Sequence, residues 1–162
     1  MASNLIPQYE DPIVLFTEWF SEAQESEIND PDAVSLATST LDSQPSVRMV
    51  LLKGFSSDGF VFYTNKQSKK GAQILDNNQA AMCFHWKSLR KQIRIEGKLE
   101  EVQSETANTY FSSRSRNSQL SAWASKQSEP LVNRTHFIDN IRLAEERFAN
   151  KDVPRPNNWS GF

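Results

Sequence analysis

Two stretches of this chain carry cations and hydroxyls where a packed core would exclude them. The first is Arg48-Met49-Val50-Leu51-Leu52-Lys53, an apolar run with a positive charge at each end. The second is Tyr110-x-x-x-Arg114-x-x-x-Ser118, followed by a polar run that ends in Gln127-Ser128. Residues four apart share one face of a helix, so a helix through 110–118 would set a phenol, a guanidinium and a hydroxyl side by side. Three convergent donors suit a phosphate, whose oxygens accept several charge-assisted hydrogen bonds at once. These residues predict a protein that holds small phosphorylated molecules.

Each feature also has an ordinary structural reading. Strand alternation sends Arg48 to one face with Val50 and Leu52, and Lys53 to the other with Met49 and Leu51. Both charges read equally well as guards of a sheet edge. Their neighbours weigh against that: Tyr63-Thr64 ends the next strand, and Ser68-Lys69-Lys70 opens the helix after it. A helix N-terminus favours anions through its free amides and its dipole. Two lysines there oppose the dipole, and a bound anion would relieve the misfit, although Lys69-Lys70 taken alone is more often a solvated pair. A generic helix would pack Tyr110 and leave Arg114 and Ser118 in water. The run 118–128 shifts the balance, being polar and poor in Leu and Ile. Gln127 and Ser128 offer neutral donors and acceptors of the kind that read a heteroaromatic edge. Gln92 could do the same, while an exposed strand glutamine is the commoner case.

Other chemistries find little support. With 18 Lys and Arg against 20 Asp and Glu, the net charge of the 162 residues is -2, so no global field draws the chain to nucleic acid or to an anionic membrane. The two histidines, His85 and His136, lie far apart without a ligand pattern, so no metal site is expected. The single cysteine, Cys83, sits in an apolar strand and reads as core. It allows no internal disulfide, which fits a reducing cytoplasm. No signal-peptide pattern opens the chain, and no apolar run nears the ~20 residues of a membrane span. Neither a G-x-G-x-x-G nor a P-loop is present. The tryptophans at 19, 86, 123 and 159 read as core or interface anchors.

The elements that must position the candidate residues follow from patterning. Asp11-Pro12 starts a helix with Leu15, Phe16, Trp19, Phe20 and Ala23 on its apolar face. Strands are predicted at 33–40, 46–53, 60–64, 79–86 and 90–102, with Asp42-Ser43-Gln44-Pro45 and Ser56-Ser57-Asp58-Gly59 as breaks. Ser68 caps a short helix. Ser104 starts the helix bearing Tyr110, Arg114 and Ser118, a second short helix holds Leu120 and Trp123, and a last helix spans 133–149. The end, 153–162, is extended and limited by prolines. Residues 1–162 read as one domain with a flexible stretch at 1–10. The class is mainly β with peripheral helices (α+β), as a closed or split antiparallel barrel.

Taken together, Arg48-Met49-Val50-Leu51-Leu52-Lys53-Gly54-Phe55, Gly59 to Asn65, the Ser68-Lys69-Lys70 helix start, Phe84-His85-Trp86, the Gln92 strand and Tyr110 to Ser128 resemble the pyridoxine (pyridoxamine) 5′-phosphate oxidase family, in the same order. The resemblance runs from about 11 to 162. It implies an FMN-binding split barrel, a homodimer with FMN at the interface, and oxidation of pyridoxamine or pyridoxine 5′-phosphate to pyridoxal 5′-phosphate. Oxygen would be the acceptor and hydrogen peroxide the by-product. By position it implies that Arg48, Met49, Val50, Leu51, Leu52, Lys53, Tyr63, Thr64, Lys69, Lys70 and Gln92 hold FMN, with Gln127 and Ser128 reaching it from the partner subunit. Arg48, Lys69 and Lys70 would neutralise the cofactor phosphate. Lys53, Tyr110, Arg114 and Ser118 would bind the substrate phosphate. No side chain is expected to act as a catalytic acid, base or nucleophile. Ser121 and Ser160 stand where the family pattern has glycine, and Lys69 where it has arginine. The family also continues past the Trp-x-Gly-Phe element with a flavin-contacting Trp and an Arg-x-His pair; in a protein truly lacking that tail, FMN would still bind and turnover would be severely impaired.

Overall fold

A computed structural model describes residues 6–162. The first helix, α1 (Pro12–Ser26), begins as its sequence requires: the Asp11 side chain accepts from the Ile13 amide and Pro12 occupies the first turn. Of the stretch expected to be flexible, residues 1–5 lie outside the described part. Residues 6–10 are exposed, with the Tyr9 hydroxyl donating to the Glu18 carboxylate.

The strands are β1 (Ala33–Ser39), β2 (Pro45–Leu51), β3 (Gly54–Ser56), β4 (Gly59–Val61), β5 (Tyr63–Asn65), β6 (Gln79–Trp86), β7 (Lys91–Lys98) and β8 (Trp159–Gly161). Every pairing among them is antiparallel. The main sheet runs β2-β1-β6-β7, with β3-β4 and β5-β8 as two short ribbons. With the helices at its periphery, this is the split-barrel arrangement expected from the sequence. Three expected strands are shorter or broken. The run 90–102 forms a strand only over Lys91–Lys98. The run 46–53 ends at Leu51, where Leu52 turns into the core and its amide bonds the Asp32 carbonyl. The run 60–64 divides at Phe62, whose backbone pairs with Phe162 in both directions. The C-terminal stretch is therefore not merely extended: β8 pairs with β5 in the register Tyr63↔Gly161 and Asn65↔Trp159.

Alternation decides what each face of the main sheet does. The inner face carries Val34, Leu36, Met82 and Phe84, packed on Phe16 and Trp86 in the larger core cluster. Phe16 meets Phe55, Phe60 and Phe84 edge-on at 4.8, 4.9 and 5.4 Å between ring centroids. The outer face of β2 leaves Val47, Met49 and Leu51 exposed. A second cluster joins Phe111, Leu120, Ala144, Phe148, Val153 and Trp159. It ties α3 (Ser104–Ser113), α4 (Arg116–Ala124) and α5 (Arg134–Arg147) to β8. Between the clusters runs α2 (Lys69–Asp76), capped by Ser68, whose hydroxyl accepts from the Gly71 amide. Only glycine fits at Gly71, because a Cβ there would lie 2.2 Å from the Lys66 carbonyl oxygen.

The helix expected to carry Tyr110, Arg114 and Ser118 on one face is two helices. α3 stops at Ser113, Arg114 is extended (φ -71, ψ 152), and Ser115 caps α4 by accepting from the Ser118 amide. The serines explain the break, because their hydroxyls compete for backbone partners and favour helix ends. Ser112 and Ser113 donate back to the carbonyls of Asn108 and Tyr110.

Candidate functional site

The break in the helix does not scatter the three donors. Tyr110 from the last turns of α3, Arg114 from the joint and Ser118 from the first turn of α4 line one cleft of about 420 Å³. The same cleft is lined by Met49, Val50 and Leu51 of β2, by Lys53 just beyond that strand, by Tyr63 and Thr64 of β5 and by Lys70 of α2. Gln127 closes one side. Two lining residues were not singled out as site residues from the sequence: Ser115, and Trp159, which reads there as a core anchor. The Trp-x-Gly element after Pro154 and Pro156 was the available signal for Trp159.

The electrostatics of the cleft are one-sided. Lys53, Lys70 and Arg114 line it, and among the described residues no carboxylate does. Lys53 is paired at the rim with Asp32 at 2.6 Å, both partly exposed. Lys70 is buried, and its ammonium donates to Thr64 Oγ1 at 3.0 Å and Gln127 Oε1 at 2.9 Å. Burial, and after it the charge of Arg48, lowers its pKa to about 8. Arg114 is also lowered by burial, with Tyr110 opposing the shift. Its Nη1 is the one buried side-chain nitrogen or oxygen among the described residues without a hydrogen-bond partner. A buried cation with an unmet donor is costly, and an anion seated against Arg114 is the chemistry that would offset the cost. The residues present thus fit a phosphorylated ligand.

Aromatic rings form the wall beside Arg114. Tyr63 and Tyr110 stack at 4.0 Å and 9°, and Tyr63 and Trp159 at 5.0 Å and 7°. The packing leaves no space at Gly161, where a Cβ would meet Tyr63 ring carbons at 2.6 and 2.8 Å. Burial, and secondarily Tyr110, raises the Tyr63 phenol above its usual value.

Several expected site residues lie elsewhere in the chain. Arg48 and Leu52 do not line the cleft. Arg48 faces inward, donating to the Leu36 carbonyl at 3.0 Å, to Thr38 Oγ1 at 2.7 Å and to Gln73 Oε1 at 3.2 Å, which locks the sheet to α2. Lys69 is exposed at the start of α2. Gln92 is exposed on β7, opposite His85. Ser128 lines a neighbouring hollow with Leu131, Val132 and His136. Gln127 meets Thr64 and Lys70 of its own chain, at 3.1 and 2.9 Å.

Comparison with known proteins decides the family. The model described as pyridoxamine 5′-phosphate oxidase matches residues 20–147. The pyridoxine/pyridoxamine 5′-phosphate oxidase of Erythrobacter litoralis is 55% identical over 162 residues, which is 100% of this chain and 76% of that protein. This chain belongs to the pyridoxamine 5′-phosphate oxidase family. Another member, from Sphingopyxis alaskensis, is 55% identical over 153 residues, covering 94% of this chain and 71% of its own. Among solved structures, PhzG from Burkholderia lata 383, in complex with tetrahydrophenazine-1-carboxylic acid, superposes with a TM-score of 0.89 at 26% identity, covering 98% of this chain and 80% of that one. A pyridoxamine 5′-phosphate oxidase-related, FMN-binding protein from Nostoc punctiforme shares the fold, with a TM-score of 0.72 at 18% identity over 95% of this chain and 80% of that one.

Proposed function

We propose that this chain is an FMN-dependent oxidase that converts pyridoxamine 5′-phosphate and pyridoxine 5′-phosphate to pyridoxal 5′-phosphate. The observation that carries this reading is a cleft lined by three cations and no carboxylate, in a chain 55% identical to oxidases of that name. FMN, when bound, supplies the two-electron acceptor for hydride leaving the substrate C4′ and passes the electrons to oxygen, giving hydrogen peroxide. The protein's part is to bind and orient. Lys70 and Thr64 hold the cofactor phosphate, and Arg48 adds its charge from behind the α2 start, together with Lys69. Met49, Val50, Leu51 and Lys53 run along the flavin. Lys53, Tyr110, Arg114 and Ser118 hold the substrate phosphate, so the reacting carbon is positioned by a group remote from it. Such positioning can supply much of the rate enhancement, and no side chain is required as acid, base or nucleophile.

The site reads as complete only in a homodimer. Val47, Met49 and Leu51 form an exposed apolar stripe on the outer sheet face, of a kind that marks an interface. Pairing through that face would bring Gln92 and Ser128 towards a flavin shared between subunits, while Gln127 already meets Thr64 and Lys70 of its own chain. Residues 1–162 act as one unit in this reading, in the cytoplasm, as the lone Cys83 suggests. Among the described residues, no helix is long and apolar enough to cross a membrane.

The test is an absorption spectrum of the FMN-loaded protein before and after anaerobic addition of pyridoxine 5′-phosphate. Flavin bands that bleach, with peroxide formed on readmitting air, support the oxidase. Bands that persist would overturn it in favour of a noncatalytic FMN- or pyridoxal-phosphate-binding dimer. A second reading, an oxidase of a different ring, draws on the likeness to PhzG, but 26% identity weighs less than 55%. Bleaching by another ring system and not by pyridoxine 5′-phosphate would favour it.

A further inference from the structure

We propose that Trp159 is a positioning residue for the substrate phosphate: its indole, fixed by β8, holds the Arg114 guanidinium in the orientation that meets the anion. This rests on the reading that Arg114 binds that phosphate.

Arg114 needs such a support because its own backbone offers little. It sits at the joint between α3 and α4, in extended conformation, so neither helix fixes its side chain. No carboxylate among the described residues pairs with it, and its Nη1 is buried without a partner. What does meet the guanidinium is aromatic: its central carbon lies 5.0 Å from the Trp159 ring centroid and 5.6 Å from that of Phe111. A cation over a ring face is attracted most strongly by tryptophan, and more so when desolvated. The ring orients the charge without neutralising it, whereas a carboxylate in the same place would compete with the phosphate.

Trp159 is itself held on several sides. It is 7% exposed, lies parallel to Tyr63 at 5.0 Å, and takes the edge of Phe111 at 5.0 Å. Its amide donates to the Pro156 carbonyl at 3.0 Å, and its carbonyl accepts from Arg155 at 2.6 Å. Through Tyr63 the same stack reaches Tyr110, parallel to Trp159 within 4°. One indole thus sets two of the proposed phosphate donors. A tryptophan serving only to fill the core would not need to line the cleft or to carry a guanidinium on its face.

The experiment is calorimetric titration of pyridoxal 5′-phosphate, and separately of unphosphorylated pyridoxal, into the FMN-loaded protein. Wild type is compared with Trp159→Leu, Trp159→Phe, Arg114→Gln and the Leu/Gln double variant, after thermal melting confirms that each folds. Loss of a desolvated cation–π contact should weaken pyridoxal 5′-phosphate about 10-fold in Trp159→Leu and about 3-fold in Trp159→Phe, leaving pyridoxal unchanged. In the Arg114→Gln background, Trp159→Leu should add nothing. Should the leucine variant fail to fold, the phenylalanine variant carries the test alone: a phosphate-specific loss supports the proposal, and no loss overturns it. Equal losses for both ligands, or full additivity with Arg114→Gln, would reduce Trp159 to a structural role and overturn it. An Arg114→Gln effect with a silent Trp159 overturns this inference alone. If Arg114→Gln leaves the preference for the phosphorylated ligand intact, the phosphate reading fails and this inference fails with it.

Discussion

Lys70, in the proposed role of holding the cofactor phosphate, should set the pH range of FMN binding. Its pKa of about 8 against the ordinary 10.5 means that it is still mostly charged at neutral pH but loses its proton soon above. A phosphate monoester is mainly dianionic above pH ~6, so FMN affinity should be highest between about 6.5 and 8 and fall as pH rises past Lys70's pKa. Titrations of FMN across pH 6 to 10 would check this, and Lys70→Arg, which stays charged throughout, should flatten the fall. The linked effect on folding has the opposite sign. Because the folded pKa lies below the unfolded one, the unfolded chain binds more protons between about 8 and 10.5, and the ligand-free protein gains stability as pH rises through that window. Much of the site was legible at this scale, because cations and hydroxyls in apolar surroundings are visible in a sequence. Less visible was which cations are already engaged: Arg48 by Leu36, Thr38 and Gln73, and Lys53 by Asp32, through partners that strand and helix packing alone brings together.

At the scale of elements, the β5–β8 ribbon couples the end of the chain to the cleft. Gly161 pairs with Tyr63, whose ring occupies the space of a Gly161 side chain. That ring is stacked against both Tyr110 and Trp159 and has little room to yield. Gly161→Ala should cost about 1–3 kcal/mol by overpacking, seen as a lowered Tm, and should weaken phosphate-ligand binding by displacing Tyr110. An alanine variant with unchanged Tm and affinity would show that the stack relaxes freely. The sequence pattern located most elements, and its errors have physical causes. Spacing by four predicted that Tyr110, Arg114 and Ser118 converge, and they do, although the local hydroxyls end one helix and start another between them. The ribbon itself escaped periodicity, since its strands are three residues long and far apart in sequence.

For the whole molecule, the unpaired outer face of β2 is the feature that the single chain leaves unexplained. Val47 is 70% exposed, and it lies outside the cleft. If the proposed homodimer forms through this face, a charge at Val47 would be buried there near its own copy, at a cost of several kcal/mol for like charges. Val47→Lys should therefore raise the dimer dissociation constant by about 10-fold or more, measured by light scattering, and FMN affinity should fall with it. A variant that dimerises normally would move the interface elsewhere. Gln92 and Ser128, which family resemblance assigns to the flavin, lie apart from the other candidates in the single subunit, and in the proposed dimer they would be supplied across the interface.

Recognition of a flavin by its phosphate is the property on which the proposed role of this cleft depends. Titration of FMN and of riboflavin into flavin-free protein, followed by quenching of flavin fluorescence, tests it most directly. The two ligands share the ring system and differ only in the phosphate that Lys70 and Thr64 would hold. A preference for FMN of about 100-fold or more is expected from charge-assisted bonds to a buried ammonium. Equal affinity for the two flavins, or no binding of either, would contradict the account.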